Sequence, residues 1–219
     1  MSDQAAFQEV DDAVRQDDLK AWWNRYGTWL VGAAVVGVVA VAGLVGWRQY
    51  DAAQRATAGA AYSAALAKIG PDNAGARAEL DKQAASAPEP YRSLAALAAA
   101  QLRDTAVEQV AALEAVAPKL PAAELTDLAQ VIAAFRSLGT DKADATIAGL
   151  EPLASPERPF HTSVIELQAL AAARKGDLKK ARDIWNEIVK DQGAPQGAVQ
   201  RAQSMLNLYA EANAAKEAK

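Results

Sequence analysis

Apolar positions along the chain follow two regimes. From Tyr26 to Trp47 they are nearly continuous: YGTWLVGAAVVGVVAVAGLVGW is 22 residues without a charge. At about 1.5 Å per residue a helix of that length covers about 33 Å, enough for a hydrocarbon core of about 30 Å. Beyond Asp51 the apolar residues recur at helical spacing instead. Val107, Val110, Leu113 and Val116 form one such run. Leu125, Leu128, Ile132, Phe135 and Leu138 form another, and Ile184, Trp185, Ile188 and Val189 a third. No run alternates with period two, and Val, Ile and Thr are sparse outside the first stretch, which argues against strands. The pattern predicts an all-α chain: a single N-terminal transmembrane helix followed by antiparallel helix pairs joined by short turns.

The apolar stretch has the flanks of an anchor. Trp22, Trp23, Tyr26 and Trp29 stand at one end, Trp47 and Tyr50 at the other. Rings with a polar tip favour the headgroup level, and Arg25 and Arg48 can reach the two interfaces. A signal peptide has a short basic start. Here residues 1–25 form a leader with six acidic and three basic side chains, so the stretch reads as a permanent single-pass span over 26–47. Within the leader, Phe7, Val10 and Val14 can share one face of a short helix over 3–20; a solvated leader is the alternative. Arg15, Lys20 and Arg25 precede the span, against Arg48 and Arg55 close behind it. The positive-inside rule then puts the N-terminus in the cytoplasm and the large domain outside it. Gly32, Gly37 and Gly43 make the span rich in small residues. Ala33-x-x-x-Gly37, continued by Ala40 and Leu44, offers a face for close packing against another membrane helix.

Ala-rich sequence without proline continues from Asp51 to Ile69, and Gly70-Pro71 is the first stop. One helix is therefore expected to run from the span into the first element of the soluble domain, with Ala52, Ala56, Ala60, Tyr62, Ser63, Leu66 and Ile69 on its apolar stripe. Pro or Gly signals then punctuate the chain every dozen or so residues. Ser163-x-x-Glu166 has the form of a capping box. Gly176-Asp177 reads as a reversal followed by an N-cap.

The helix pairs recur. Ala145 and Ala181 occupy like places 36 residues apart, close to the 34-residue period of the tetratricopeptide repeat. In the last unit Ala169, Gly176, Asp177, Ala181 and Trp185 stand where that repeat places a small residue, its turn, a second small residue and a bulky aromatic. The preceding unit has Ala133, Asp141 and Ala145, with Gly149 where the aromatic belongs. The unit at 91–117 is shortened at its turn near Asp104. The expected architecture is a tetratricopeptide-like helical-pair solenoid over 48–213, with a tail at 214–219. Ala145, Ala169, Gly176, Ala181 and Trp185 form its repeat core.

Several segments also resemble a known family. The short acidic leader, the span ending in Gly46-Trp47-Arg48, and the segments AYSAAL, YRSLAALAAAQL and LQALAAARKGDLKKARDIWNEIVK are similar to the YfgM-type ancillary subunits of the bacterial Sec translocon. The resemblance implies a bacterial inner-membrane protein with a periplasmic tetratricopeptide-like domain. It also implies two partners: the SecYEG channel and a membrane-anchored periplasmic chaperone, between which clients are passed. The alanine richness of this chain and its shortened turn depart from that family.

Composition narrows the chemistry. Residues 51–219 carry 19 Lys and Arg against 21 Asp and Glu, without the basic excess of a nucleic-acid surface. There is no cysteine, hence no disulfide framework or thiolate metal site. His161 is the only histidine and lacks co-ligands for a metal. No phosphate-binding or nucleophile-elbow motif occurs, Ser63, Ser93 and Ser137 have no histidine partner nearby in sequence, and Asp141/Asp144 read as a solvated helix start. The chain is expected to be no enzyme, to use no cofactor, and to act on no small molecule. Its expected partners are the lipid bilayer and other proteins. Tyr91, Arg92, Phe160 and Tyr209, aromatics and an arginine at loop-to-helix junctions, are the candidate partner contacts. The expected role is a membrane-anchored adaptor. A holdase binding unfolded clients, or a general envelope scaffold, is the alternative.

Overall fold

The computed structural model describes the backbone of residues 3–217 and the side chains of 20 and 22–210. The side chains of Phe7, Val10 and Val14 lie outside the described residues, as do those of the tail at 214–219. Among the described residues there are nine α-helices and no strand. They are α1 (Asp3–Ala67), α2 (Asn73–Ser86), α3 (Tyr91–Gln101), α4 (Ala106–Val116), α5 (Ala123–Ser137), α6 (Ala143–Ala148), α7 (His161–Arg174), α8 (Leu178–Lys190) and α9 (Gln196–Glu217). Short 3-10 turns follow α4 and α6. The chain divides into two compact units, Met1–Ala56 and Thr57–Lys219.

Helix boundaries follow from local chemistry. After α1, Gly70 adopts φ 101°, a left-handed conformation that a Cβ disfavours. Asp72 caps α2 by accepting from the Gly75 amide at 2.9 Å. The shortened turn before α4 carries the real capping box. Thr105 Oγ1 accepts from the Glu108 amide at 3.2 Å, and the Thr105 amide donates to Glu108 Oε2 at 3.3 Å. The pair expected at Ser163 and Glu166 forms no cap: α7 starts at His161 without a side-chain cap, and Glu166 turns inward. Gly176, at φ 82°, and Asp177, accepting from the Lys180 amide at 3.0 Å, make the reversal into α8.

The core of the second unit is four clusters in a row, each sharing a helix with the next. The first joins Ala65 of α1, Leu80 of α2, and Ala95 and Ala99 of α3. On its other side α3 gives Leu97 and Ala100 to a cluster with Leu113 of α4 and with Ala129 and Ala133 of α5. In turn α5 gives Val131 and Ala134 to a cluster with Ile147 of α6 and with Val164 and Leu167 of α7. Finally α7 gives Ala169 and Ala172 to a cluster with Ala181, Trp185 and Ile188 of α8 and with Ala202 and Tyr209 of α9. A chain in which every second helix is shared this way, α3, α5 and α7 in turn, is a solenoid: each unit buries its apolar face only against its neighbours.

Burial fixes the repeat register and corrects the expected one. Advancing 38 residues carries Ala129, Val131, Ala133 and Ala134 onto Leu167, Ala169, Ala171 and Ala172, all buried. The same step carries Ala143, Ile147 and Leu150 onto Ala181, Trp185 and Ile188, also buried. Ala145 is exposed and has no place in the core; Ala143 takes it, and Ile147 rather than Gly149 fills the position of Trp185. The 36-residue alignment failed because two alanines two residues apart look alike in sequence. Stepping back 34 residues from α5 reaches Ala95, Leu97, Ala99 and Ala100, again buried. Leu97 and Val110 are 13 residues apart where Val131 and Ile147 are 16, so the unit of α3 and α4 has the shortened turn expected near Asp104.

The stripe expected at the end of α1 is also shifted. Ala60, Ser63, Leu66 and Ile69 are exposed, and the packed face is Ala58, Gly59, Tyr62 and Ala65. On α5, likewise, Phe135 is exposed while the alanine face beside it is buried.

Candidate protein-interaction site

The apolar segment of α1 presents its side chains outward. None of its most apolar 18-residue window, of mean hydropathy 2.3, is buried. Trp29 is 81 % exposed and Trp47 68 %, and Tyr26 is exposed too. A Cβ added at Gly32, Gly37 or Gly43 would meet nothing within 4 Å. Such a surface is unfavourable in water and suits hydrocarbon. The segment is long and apolar enough to cross a membrane.

Three of the four candidate partner contacts point into their own domain. Tyr91 packs on Tyr62, with ring centroids 6.0 Å apart. Phe160 caps the edge of the cluster between α5 and α7. Tyr209 is 7 % exposed in the cluster of α7, α8 and α9. Arg92 is exposed, but its Nε donates to the Ala87 carbonyl at 3.0 Å, which holds the loop before α3. Aromatics at helix junctions here serve the core, the ordinary fate of large apolar rings. His161 stands 3.7 Å from Asp191, joining the start of α7 to the end of α8.

The repeat core divides likewise. Ala169 and Ala181 are fully buried and Trp185 is 2 % exposed, all in one cluster, while Gly176 makes the turn and Ala145 faces out. Unanticipated from sequence was a set of arginines tying neighbouring units. Arg103 donates to Asp81 at 2.8 Å and Arg77 to Asp104 at 3.1 Å. Arg158 reaches the buried Asp127 at 2.7 Å, and Arg174 donates to the carbonyls of Leu138 and Thr140 at 2.8 and 3.0 Å. These contacts lie 22 to 36 residues apart in sequence, a separation that no local motif signals.

Two open grooves on the solenoid flank α6. One, of about 430 Å³, lies between α6 and α8 over α7. The other, of about 270 Å³, lies between α4 and α6 over α5. α6 is only six residues long, so neither groove is filled from its side. Their walls mix alanine with carboxylates and amides, and the wider groove adds Lys175 and Lys180, a mixture suited to contacts with another polypeptide.

An exposed apolar helix joined to a stack of helix pairs with open grooves defines the class: a helical-repeat protein with a candidate membrane span. A profile described as tetratricopeptide repeat-like domain matches residues 20–209, and the chain belongs to that family. The family is generally a non-catalytic protein-interaction fold. No curated protein matches the chain, and no solved structure does.

Proposed function

We propose that this protein is a single-pass membrane adaptor. Residues 1–25 lie in the cytoplasm, 26–47 in the bacterial inner membrane, and the repeat domain from 48 to 213 in the periplasm. Its partners are the SecYEG channel and a membrane-anchored periplasmic chaperone, and it passes emerging clients from the first to the second. The observation that carries the adaptor role is the combination of a fully exposed apolar window in α1 with a repeat domain of an interaction fold. The resemblance of the leader, the span end and the last repeat to translocon-ancillary subunits supports the choice of partners. Tethering confines the domain to the membrane plane, so that weak contacts to a membrane partner suffice. Gly32, Gly37 and Gly43 give the span room for a partner helix. A holdase needs a wide exposed apolar groove; the mixed polar walls beside α6 favour the adaptor.

The test is crosslinking in the native membrane from photoreactive residues placed along 50–70 and along the repeats, combined with a reporter fused after Lys219 that is active only outside the cytoplasm. Adducts with channel and chaperone subunits and an active reporter are expected. A silent reporter overturns the orientation, and adducts with nascent clients alone favour the holdase. Replacing 28–45 by a Leu-rich span of equal length reports on the span itself: undiminished copurification with the channel would leave it a tether only.

A further inference from the structure

Trp22, Trp23, Tyr26 and Trp29 crowd the N-terminal end of the exposed apolar segment, and two of these rings are braced. Trp23 lies along the helix against Gly27: a Cβ at position 27 would stand 3.1 Å from Cε2 of the ring and 3.2 Å from Nε1. Its neighbour Trp22 packs on Tyr26, with ring centroids 5.8 Å apart and a tilt of 48°. Trp29 and Trp47 stand out further, 81 % and 68 % exposed against 49 % and 56 % for Trp22 and Trp23. The two braced indoles wall a groove of about 570 Å³, which Lys20 and Asn24 also line.

The lining has one polarity. The Lys20 ammonium and the indole N–H groups only donate, and the Asn24 amide both donates and accepts. Among the described residues that line the groove none is acidic. Arg25 stands 6.0 Å from the Tyr26 ring centroid and takes an aromatic face that a ligand cation could otherwise use. An anion is therefore matched here, and an ammonium is not. In sequence Asp17 and Asp18 offset the charges of Lys20 and Arg25, so this is not a broadly basic surface. The preference comes from donors brought to one groove. The ligand also needs an apolar part, because the candidate span begins at Trp22, in the wall of the groove.

We infer that this groove holds the phosphate of an anionic phospholipid, with a glycerol headgroup on Asn24 and the acyl chains along the apolar segment beyond Tyr26. Lys20 supplies the charge and the indole N–H groups the directed donors. Bracing fixes the rings before the lipid arrives, which lowers the ordering cost of binding. The site rests on the membrane-span reading, which places it at the cytoplasmic leaflet.

Spin-labelled lipids test it on the full chain in phosphatidylcholine vesicles. Electron spin resonance reads the share of an acyl-chain-labelled lipid that the protein immobilises, for labelled phosphatidylglycerol against labelled phosphatidylcholine. Phosphatidylglycerol is expected to be favoured about fivefold, the scale of one lysine at an anionic lipid surface. Lys20→Gln and Gly27→Val are each expected to remove most of that preference, the second by moving Trp23 without touching a charge. Arg48→Gln, the same charge change at the other end of the span, is expected to leave it intact. Equal immobilisation of the two lipids overturns the inference. So does a preference that survives Gly27→Val, or one lost equally with Arg48→Gln, which would mean charge alone. Loss of the preference on adding excess inorganic phosphate would reassign the groove to a free anion and overturns the lipid as its occupant. No immobilised lipid of either kind would place the segment outside the bilayer and sink the membrane reading itself, whereas immobilised lipid without headgroup preference leaves that reading standing.

Discussion

Tyr91 lies directly over Gly59. A methyl group at position 59 would stand 2.6 Å from the Tyr91 hydroxyl and 2.9 Å from Cζ. The same ring packs on Tyr62, tilted 48°. The glycine thus lets the start of α3 approach the end of α1, at a helical position where glycine is otherwise a liability. Gly59→Ala in a free helix would gain about 1 kcal/mol. Here the gain is expected to vanish or reverse, because Tyr91 must leave its place. In a Tyr91→Ala background the same change is expected to stabilise by about 1 kcal/mol. Urea unfolding of residues 51–219 measures both; a coupling below about 0.5 kcal/mol would show that Tyr91 swings aside without cost.

Glu166, 3 % exposed, is held by Arg201 through a two-pronged contact, Nε to Oε1 at 3.1 Å and Nη2 to Oε2 at 3.0 Å. It links α7 to α9 across 35 residues. Removing one member of a buried pair costs about 3–5 kcal/mol. Arg201 is largely exposed, and water can replace part of what it supplies, so Arg201→Ala is expected to cost about 2 kcal/mol. Replacing both by methionine is expected to recover most of the loss. Calorimetric unfolding of the two variants checks this, and a double variant no better than Arg201→Ala alone would place the cost in lost packing of the arginine stem.

Legibility from sequence tracked side-chain size. The α7–α8 unit could be read because Trp185 and Ile188 mark a face and Gly176-Asp177 marks its start. The anchor could be read because length and hydropathy are non-local sums. The middle units were harder. Their core is alanine: Ala95, Ala99, Ala129, Ala133 and Ala134 are buried, and in α3 the half-buried Ala96 and Ala98 sit beside them. Residue type then says nothing about face, and the larger Leu125, Leu128, Ile132 and Phe135, which carry the helical spacing, are only half buried or exposed. Junction aromatics are ambiguous for another reason: Phe160 and Tyr209 have the residue type of surface anchors, yet each lies against a core cluster. Thr105-x-x-Glu108 and Ser163-x-x-Glu166 have the same capping-box spacing, and only the first forms the box.

Stability is expected to fall above about pH 10. Burial raises Tyr62 above its ordinary 10.0. The hydrogen bond and charge of Glu79 raise Lys68 above its ordinary 10.5. In both cases the folded protein keeps a proton that the unfolded chain releases, so the contribution is complete below the unfolded pKa and lost as pH climbs through the folded one. Urea midpoints between pH 8 and 11 should decline only at the alkaline end. Tyr62→Phe should flatten that decline and Lys68→Met should flatten it further. A slope unchanged in both variants would move the titration to other groups.

The repeat register makes the last prediction, since two alanines two residues apart are assigned opposite fates. Ala143 is fully buried in the cluster of α5, α6 and α7, with Ile147 and Leu150 on the same face. Ala145 is exposed. Adding bulk to a packed site forces neighbours off their rotamers and costs about 1–3 kcal/mol, while surface changes stay within about 0.5 kcal/mol. Ala143→Leu is therefore expected to destabilise residues 51–219 by about 2 kcal/mol, and Ala145→Leu to be nearly neutral. The 36-residue alignment with Ala181 makes the opposite assignment. Thermal unfolding of the two variants decides between them: a large loss at Ala145 with none at Ala143 would shift α6 by two residues and move Ile147 out of correspondence with Trp185.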